Sequence, residues 1–476
     1  MNQSIYITTS IPYVNSRPHV GHAQEFIVAD CIARIYRSND HQVTFQTGTD
    51  ENAVKNVLAA NQAGVTTQEF VDKNAQVFQQ LVKDLNISAD TFIRTTDPRH
   101  RKGVEKFWSK LNPEDLYSKS YEGLYCVGCE DFYLEKDLVN GQCPDHKSIP
   151  DKVREENIFF HLSRYQIELE KLIESDVIKI IPQTRKNEVL SFIHQGLHDI
   201  SLTRDKSRSS GWGIPAPGFP DQIIYVWIDA LINYLTGQGL GESEKWKDVW
   251  NKDVRKIHVI GKNVWKFHAV YWPALLLSAN LPLPNEIVVH GFLTTNGTKI
   301  SKSLGNAIDP LIVCEDFGVD PLRHFLLSCL PIYSDSDFSL DRLAKVYETD
   351  LANRLGNLYS RLTTLCEKAE VTLQFSTISK GIPEGHLKSY SLQEISRSAW
   401  DEVDKINQEI NHERPWDLLK VPTDRKKLAD LLTSWCTRLC ESANTLSSFI
   451  PEATLQIRRG LSGDQIGTRI LFPHRK

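Results

Sequence analysis

The hydrophobic period of this chain switches between strand and helix in a fixed order, and that switching restricts the fold more than any other feature. Ile5-Tyr6-Ile7-Thr8-Thr9 is a β-rich run. After a loop containing Pro12 and Asn15, Phe26, Ala29, Ala33 and Tyr36 recur on one face of a helix. Val43-Thr44-Phe45 then returns as a strand. Strand, helix and strand in this order make a βαβ unit, expected to have parallel strands and a right-handed crossover. A second such stretch comes later, with Ile257-His258-Val259-Ile260, a helical pattern from Trp265 to Leu277, and Ile287-Val288-Val289. From about Asp341 the period is helical throughout. Leu351, Leu355, Leu358, Leu362 and Leu365 mark one face, and Trp400, Val403, Ile406 and Ile410 another, so the last third reads as a helix bundle. The expected fold is α/β. A Rossmann-like parallel-sheet domain in two halves, 1–115 and 221–340, is interrupted by an insert over 116–220 and followed by an all-α bundle over 341–476.

A chain of 476 residues, 41% hydrophobic and 24% charged, can bury several cores and is not disordered. Its net charge of -5 gives no global footprint for nucleic acid, so any such contact must come from local patches. No run approaches the roughly 18 apolar residues that span a bilayer, and the N-terminus has no signal-peptide pattern, so a soluble cytoplasmic protein without membrane contact is expected. The nine cysteines argue against a disulfide scaffold. Three of them cluster as Cys126-x2-Cys129-x13-Cys143-x2-His146, the donors and spacing of a tetrahedral zinc site, with Gly128 and Gly141 as turn residues. All four positions are filled by protein, so the one zinc is expected to be structural, holding an insert too small for its own core.

His19-Val20-Gly21-His22 falls where the first strand hands over to the first helix. Backbone N–H groups and the helix dipole favour a phosphate there, Gly21 lets a ligand approach the backbone, and the imidazoles can donate to phosphate oxygens. A helix start with incidental histidines is the plainer alternative. Lys299-Ile300-Ser301-Lys302-Ser303 follows an Asn296-Gly297 turn and makes a mobile cationic loop suited to a departing pyrophosphate. Taken alone it could be a solvated surface loop. The two signatures in this order, about 280 residues apart and each beside an expected strand, point to an enzyme that adenylates its substrate.

These signatures resemble the His-x-Gly-His and Lys-x-Ser-Lys-Ser motifs of class I aminoacyl-tRNA synthetases. Ser10-Ile11-Pro12-Tyr13-Val14-Asn15, Gly48-Thr49-Asp50-Glu51, Tyr225-Val226-Trp227-Ile228-Asp229-Ala230, Ile260-Gly261-Lys262 and Val289-His290-Gly291 resemble segments of the methionyl family, over nearly the whole chain. The resemblance implies a ligase that activates L-methionine with ATP and Mg²⁺ and loads it onto tRNA(Met). It assigns the methionine pocket to Ile11, Tyr13, Asp50, Trp227, Tyr234, Val264, Phe267 and His268, with Asp50 holding the ammonium. ATP contacts fall to Gly21, Glu25, Arg204, Gly261, Asn263 and Lys302, and the catalytic groups to His19, His22, Lys299 and Lys302. Asn357, Arg361 and Trp416 take the positions that read the anticodon, by hydrogen bonds and base stacking. The same resemblance agrees with a structural zinc on Cys126, Cys129, Cys143 and His146.

The chain departs from the family pattern at Asn52 and Ala53, commonly His and Gly, and at Asn263, commonly Asp; Ile300 for the usual Met conserves volume. Without the C-terminal domain that makes some relatives dimers, a monomer is expected. The rivals are a class I enzyme for another amino acid, an adenylating paralogue serving a biosynthetic acceptor, and a silent RNA-binding or amino-acid-sensing module. The first is disfavoured by the short insert, the second by Asn357, Arg361 and Trp416, and the third by His19, His22, Asp50 and Lys302.

Overall fold

The computed structural model describes residues 3–126, 131–133, 135–144, 147–295, 297–300, 306–371, 382, 389–461 and 470–475. Six strands form its central sheet: β1 (Ser4–Thr9), β2 (Gln42–Thr49), β3 (Thr91–Arg94), β4 (Lys179–Ile181), β5 (Arg255–Gly261) and β6 (Glu286–His290). They lie side by side as β3-β2-β1-β5-β6-β4, every pair parallel. Ile7 sits opposite Phe45 on one side and Ile257 on the other. The continuous apolar runs of β5 and β6 follow from burial of both faces, and Ile257, Val259, Ile287, Val288 and Val289 are all fully buried.

The expected boundaries of the insert do not match the sheet. Residues 116–220 supply β4, whose three residues are too short to show a period in the sequence. The rest of that stretch holds an antiparallel sheet in the order Asp131–Tyr133, Leu116–Cys126, Asp151–Phe160, Ile200–Ser201. Its Ile158 and Phe160 belong to the same apolar cluster as Ile260, Ile287 and Val289. The stretch is therefore anchored in the main core at one end. The expected helix from Trp265 to Leu277 begins with a π-helical turn, Phe267–Tyr271, before the α-helix Trp272–Ser278. Pro273 accounts for it, because its ring cannot donate to, and clashes with, the carbonyl of Ala269 in a regular α-helix.

By packing, the chain divides into two units: Met1–Pro18, Gln42–Lys83 and Ala89–His290 form the first, and His19–His41, Asp84–Ser88 and Gly291–Lys476 the second. The first therefore contains the parallel sheet, and the second contains the helix Val20–Ser38. That helix was expected to be amphipathic, but Ile27, Val28, Ile32 and Ile35 are buried along with Phe26, Ala29, Ala33 and Tyr36. Its Asp30 is fully buried and pairs with Arg323 at 2.7 Å and Arg34 at 2.7 Å. Arg323, itself wholly buried, also donates to the carbonyls of Leu85, Ser448 and Phe449.

Beyond residue 340 the described residues form helices and connecting turns, as expected. Leu351, Leu355, Leu358 and Leu362 are fully buried, and so are Val403, Ile406 and Ile410. They share one cluster with Leu432, Trp435 and Leu439 of the helix Arg425–Leu446.

Candidate active site

The sheet of the first unit reverses its winding between β1 and β5. The chain runs from β1 outward through β2 to β3 on one side and from β5 to β6 on the other. In an open parallel sheet the loops at the carboxyl ends of two such strands diverge and leave a crevice, the usual ligand position. Ile11 and Tyr13 follow β1, Asp50 ends β2's extension, Gly261 ends β5, and Asn263 and Val264 follow it. Tyr13 and Asp50 are tied by a parallel bridge, with the Asp50 N–H donating to the Pro12 carbonyl at 2.9 Å.

An aromatic file runs from this edge. The Tyr13 and Trp227 rings lie 5.6 Å apart, and Trp227 stacks on Phe267 at 4.1 Å with 10° between planes. Trp227 and Tyr13 are half-buried while Phe267 is buried, so the file has one accessible end. Beside it Val264, Tyr234 and His268 are joined by hydrogen bonds. His268 Nδ1 lies 2.9 Å from the Val264 carbonyl, and Nε2 lies 2.6 Å from the Tyr234 hydroxyl. A carbonyl only accepts, so Nδ1 carries a proton; in the neutral ring Nε2 then accepts and Tyr234 donates. These two bonds fix Tyr234 and His268 in one orientation. The His258 ring lies 4.3 Å from Tyr234, tilted by 33°, and its burial, with His268 and Lys256 close by, holds its pKa far below the usual range.

The Gly-Thr-Asp-Glu segment is held by its neighbours. Asp50 is buried, and one of its carboxylate oxygens accepts the Asn52 N–H at 3.3 Å. Asn52 donates its side-chain amide to Asp229 at 2.8 Å and to the Thr95 carbonyl at 3.2 Å, which gives the departure from the family's usual His a structural task. Glu51 takes both arms of Arg94, each at 2.8 Å. Gly48 has no alternative, because a Cβ there would lie 2.1 Å from the Ile93 carbonyl oxygen. Arg204 is buried with its guanidinium 3.8 Å above the Tyr225 ring, donating to the Thr203 carbonyl at 2.9 Å. Asn263 is exposed.

In the second unit His19 caps the helix Val20–Ser38. Its Nδ1 accepts the Gly21 N–H at 3.1 Å, and the His22 Nδ1 accepts the His19 N–H at 3.2 Å. Both neutral rings therefore carry their proton on Nε2, and they stack 3.9 Å apart. The expected role of the backbone amides changes. The Val20 N–H donates to Ile308, Gly21 to His19, and His22 to the His19 carbonyl, so an anion here meets imidazole donors and the helix dipole in place of those amides. The space left by Gly21 is likewise taken by a side chain, since a Cβ would come 2.9 Å from the His19 ring. Glu25 is buried one turn further on.

Leu293–Thr295 and Thr298–Lys299 form the hairpin expected around Asn296-Gly297, with Gly297 at φ +71° and its N–H on Asp337 at 2.9 Å. Ile300 is buried, consistent with an apolar residue there. The Lys299 side chain and Lys302 lie outside the described residues, as do Cys129 and His146. Cys126 and Cys143 are both buried. The Cys126 Sγ lies 3.7 Å from the Ser148 hydroxyl, and the Cys143 N–H donates to the Ser148 carbonyl at 2.9 Å. Asn140 and Gly141, both at positive φ, turn the chain into Cys143.

In the bundle Arg361 and Trp416 meet, the guanidinium 5.7 Å from the ring centroid. Asn411, unnoticed in the sequence, accepts from Arg361 at 2.8 Å. Asn357 is exposed one turn before Arg361, and Trp416 is 38% exposed, which is unlike a core tryptophan. The left-handed Arg414 places Trp416 at the head of the short helix Pro415–Leu418.

The family model "tRNA synthetases class I (M)" matches residues 5–152 and 146–363, so the chain belongs to the class I aminoacyl-tRNA synthetases. Methionine–tRNA ligases of Clostridium perfringens and Thermotoga maritima are 38% and 39% identical, aligned over 96% and 97% of this chain and 73% and 75% of their own. The solved Mycobacterium tuberculosis methionyl-tRNA synthetase in complex with methionyl-adenylate superposes with a TM-score of 0.90 at 35% identity, covering 99% of this chain and all of that one. The chain belongs to the methionyl-tRNA synthetase family, whose members are ligases.

Proposed function

We propose that this chain activates L-methionine with ATP and transfers the methionyl group to tRNA(Met). The observation that carries the proposal is the hydrogen-bonded Tyr234–His268–Val264 group beside the Tyr13–Trp227–Phe267 file at the switch-point edge. A flexible thioether gains from dispersion and sulfur–aromatic contact in such surroundings. Asp50 takes the substrate ammonium, and Ile11 closes the wall.

In the first step an oxygen of the methionine carboxylate attacks the α-phosphorus of ATP in line. The bond to the bridging oxygen breaks and pyrophosphate leaves. His19 and His22 donate from Nε2 to phosphate oxygens, Glu25, Arg204, Gly261 and Asn263 border the nucleoside, and Lys299 and Lys302 offset charge on the leaving group. Mg²⁺ accompanying ATP would supply further charge stabilisation. In the second step a hydroxyl of the terminal tRNA ribose attacks the mixed anhydride, and AMP leaves. Asn357, Arg361 and Trp416 present hydrogen-bond donors and a stacking face to unpaired anticodon bases. Cys126, Cys129, Cys143 and His146 suit one structural zinc, as three thiolates and an imidazole are its preferred donors.

The test is amino-acid-dependent ATP–pyrophosphate exchange across all twenty amino acids. Methionine alone should support exchange. Exchange with another amino acid and none with methionine removes the proposal.

A further inference from the structure

Outside these sites, the second unit brings together three side chains of different donor chemistry. His324 ends the helix Val319–His324, Cys329 ends the π-helical turn Phe325–Cys329, and Asp350 lies in a second π-helical stretch, Tyr347–Gly356. The wider turn matters. In an α-helix residues five apart point about 140° away from each other, whereas a π turn brings them close to one face. His324 Nε2 lies 3.7 Å from Cys329 Sγ and 3.2 Å from Asp350 Oδ2, and the three atoms are all within 4.8 Å of one another.

We propose that His324 Nε2, Cys329 Sγ and Asp350 bind a divalent cation of the zinc class, with water as the fourth ligand. Tetrahedral zinc with bonds of about 2.0 Å to nitrogen and oxygen and about 2.3 Å to sulfur spaces its ligands by about 3.3 Å for N···O and about 3.6 Å for N···S. The observed separations of 3.7 Å and 3.2 Å match both edges before any movement. A set of one imidazole, one thiolate and one carboxylate suits a borderline ion, and is too soft for Mg²⁺ or Ca²⁺. The ligands are held from behind. Arg342 donates to the Cys329 carbonyl at 3.0 Å, Thr349 donates to the other Asp350 oxygen at 3.0 Å, and the His324 ring packs on Trp400 at 4.9 Å. His324 Nδ1 is buried without a hydrogen-bond partner among the described residues, so polar contacts orient the ring only from its Nε2 side. Asp350 keeps 28% of its side chain exposed, which leaves a path for an ion and its water. Coordination sends the thiol proton to solvent and leaves two anionic ligands on a dication.

The full chain, stripped of loosely held metal and equilibrated with Zn²⁺ alone, provides the test by elemental analysis. C329S and D350N should each hold one zinc equivalent fewer than the unsubstituted chain, and cobalt loading of C329S should lose part of the thiolate-to-metal absorption. C126S reports on the cysteine knuckle separately, so the two losses should add. The more exposed Asp350 keeps the test valid should C329S fold poorly. Equal zinc content in the unsubstituted chain, C329S and D350N overturns the proposal.

Discussion

At His19 one side chain does two things with two different atoms. Nδ1 caps the helix, and the proposed function gives Nε2 the task of donating to a phosphate oxygen. Asparagine offers a capping oxygen near the Nδ1 position but nothing at Nε2. His19→Asn should therefore keep its melting temperature within the few degrees that about 0.5 kcal/mol represents, while methionine-dependent exchange falls by roughly two orders of magnitude. A fall in both would assign His19 to the fold alone. Tyr234→Phe removes the donor to His268 Nε2 and leaves a buried acceptor unsatisfied. A loss of about 1–3 kcal/mol is expected, read as a rise of roughly tenfold or more in the methionine KM with the ATP KM unchanged. Such atom-level assignments were beyond the sequence. His19 and His22 stood out, but which nitrogen of each ring was engaged depends on backbone geometry.

Among elements, the helix Val20–Ser38 shows the clearest charge dependence. Burial pushes the Asp30 carboxyl up, but Arg323, Arg34 and Ser88 outweigh it and hold its pKa below the ordinary value of 3.8. A depressed carboxylate stabilises the fold above its unfolded pKa and loses that contribution as pH falls through the folded one. Arg323→Met, by breaking a buried pair, should cost about 3–5 kcal/mol near neutral pH, with the deficit shrinking below about pH 4 in denaturant titrations. Asp320 works in the opposite sense: burial raises its pKa to about 7. Its contribution is complete below the ordinary carboxylate range and is lost as pH rises through about 7. Asp320→Asn should gain stability relative to the unsubstituted chain between about pH 5 and pH 8. The sequence revealed the apolar stripes of the bundle because a period of 3.6 survives in a linear string. It concealed Asp30–Arg323, since residues nearly 300 apart leave no local pattern, and it concealed β4, since three residues cannot show a period.

For the whole molecule, activation and acceptor recognition should separate. Trp416→Ala should remove tRNA(Met) charging while sparing methionine-dependent exchange, and equal loss of both would refute that division. Arg361 and Trp416 were found by resemblance, and their meeting required a helix turn at Arg414 that no spacing rule supplies. Synthesis adds a constraint of its own. His19–His41 is made early, but the rest of its packing unit resumes only briefly at Asp84–Ser88 and then from Gly291, about 250 residues after His41. At roughly 5–20 residues per second, a ribosome takes on the order of 10–50 s to cover that distance. Throughout that time Asp30, on a helix with Ile27, Val28, Ile32 and Ile35 to bury, has Arg34 of its own helix but no Arg323. Dividing the gene at any point between His41 and Gly291 would put Asp30 and Arg323 on different products, leaving the buried carboxylate with Arg34 of its own helix.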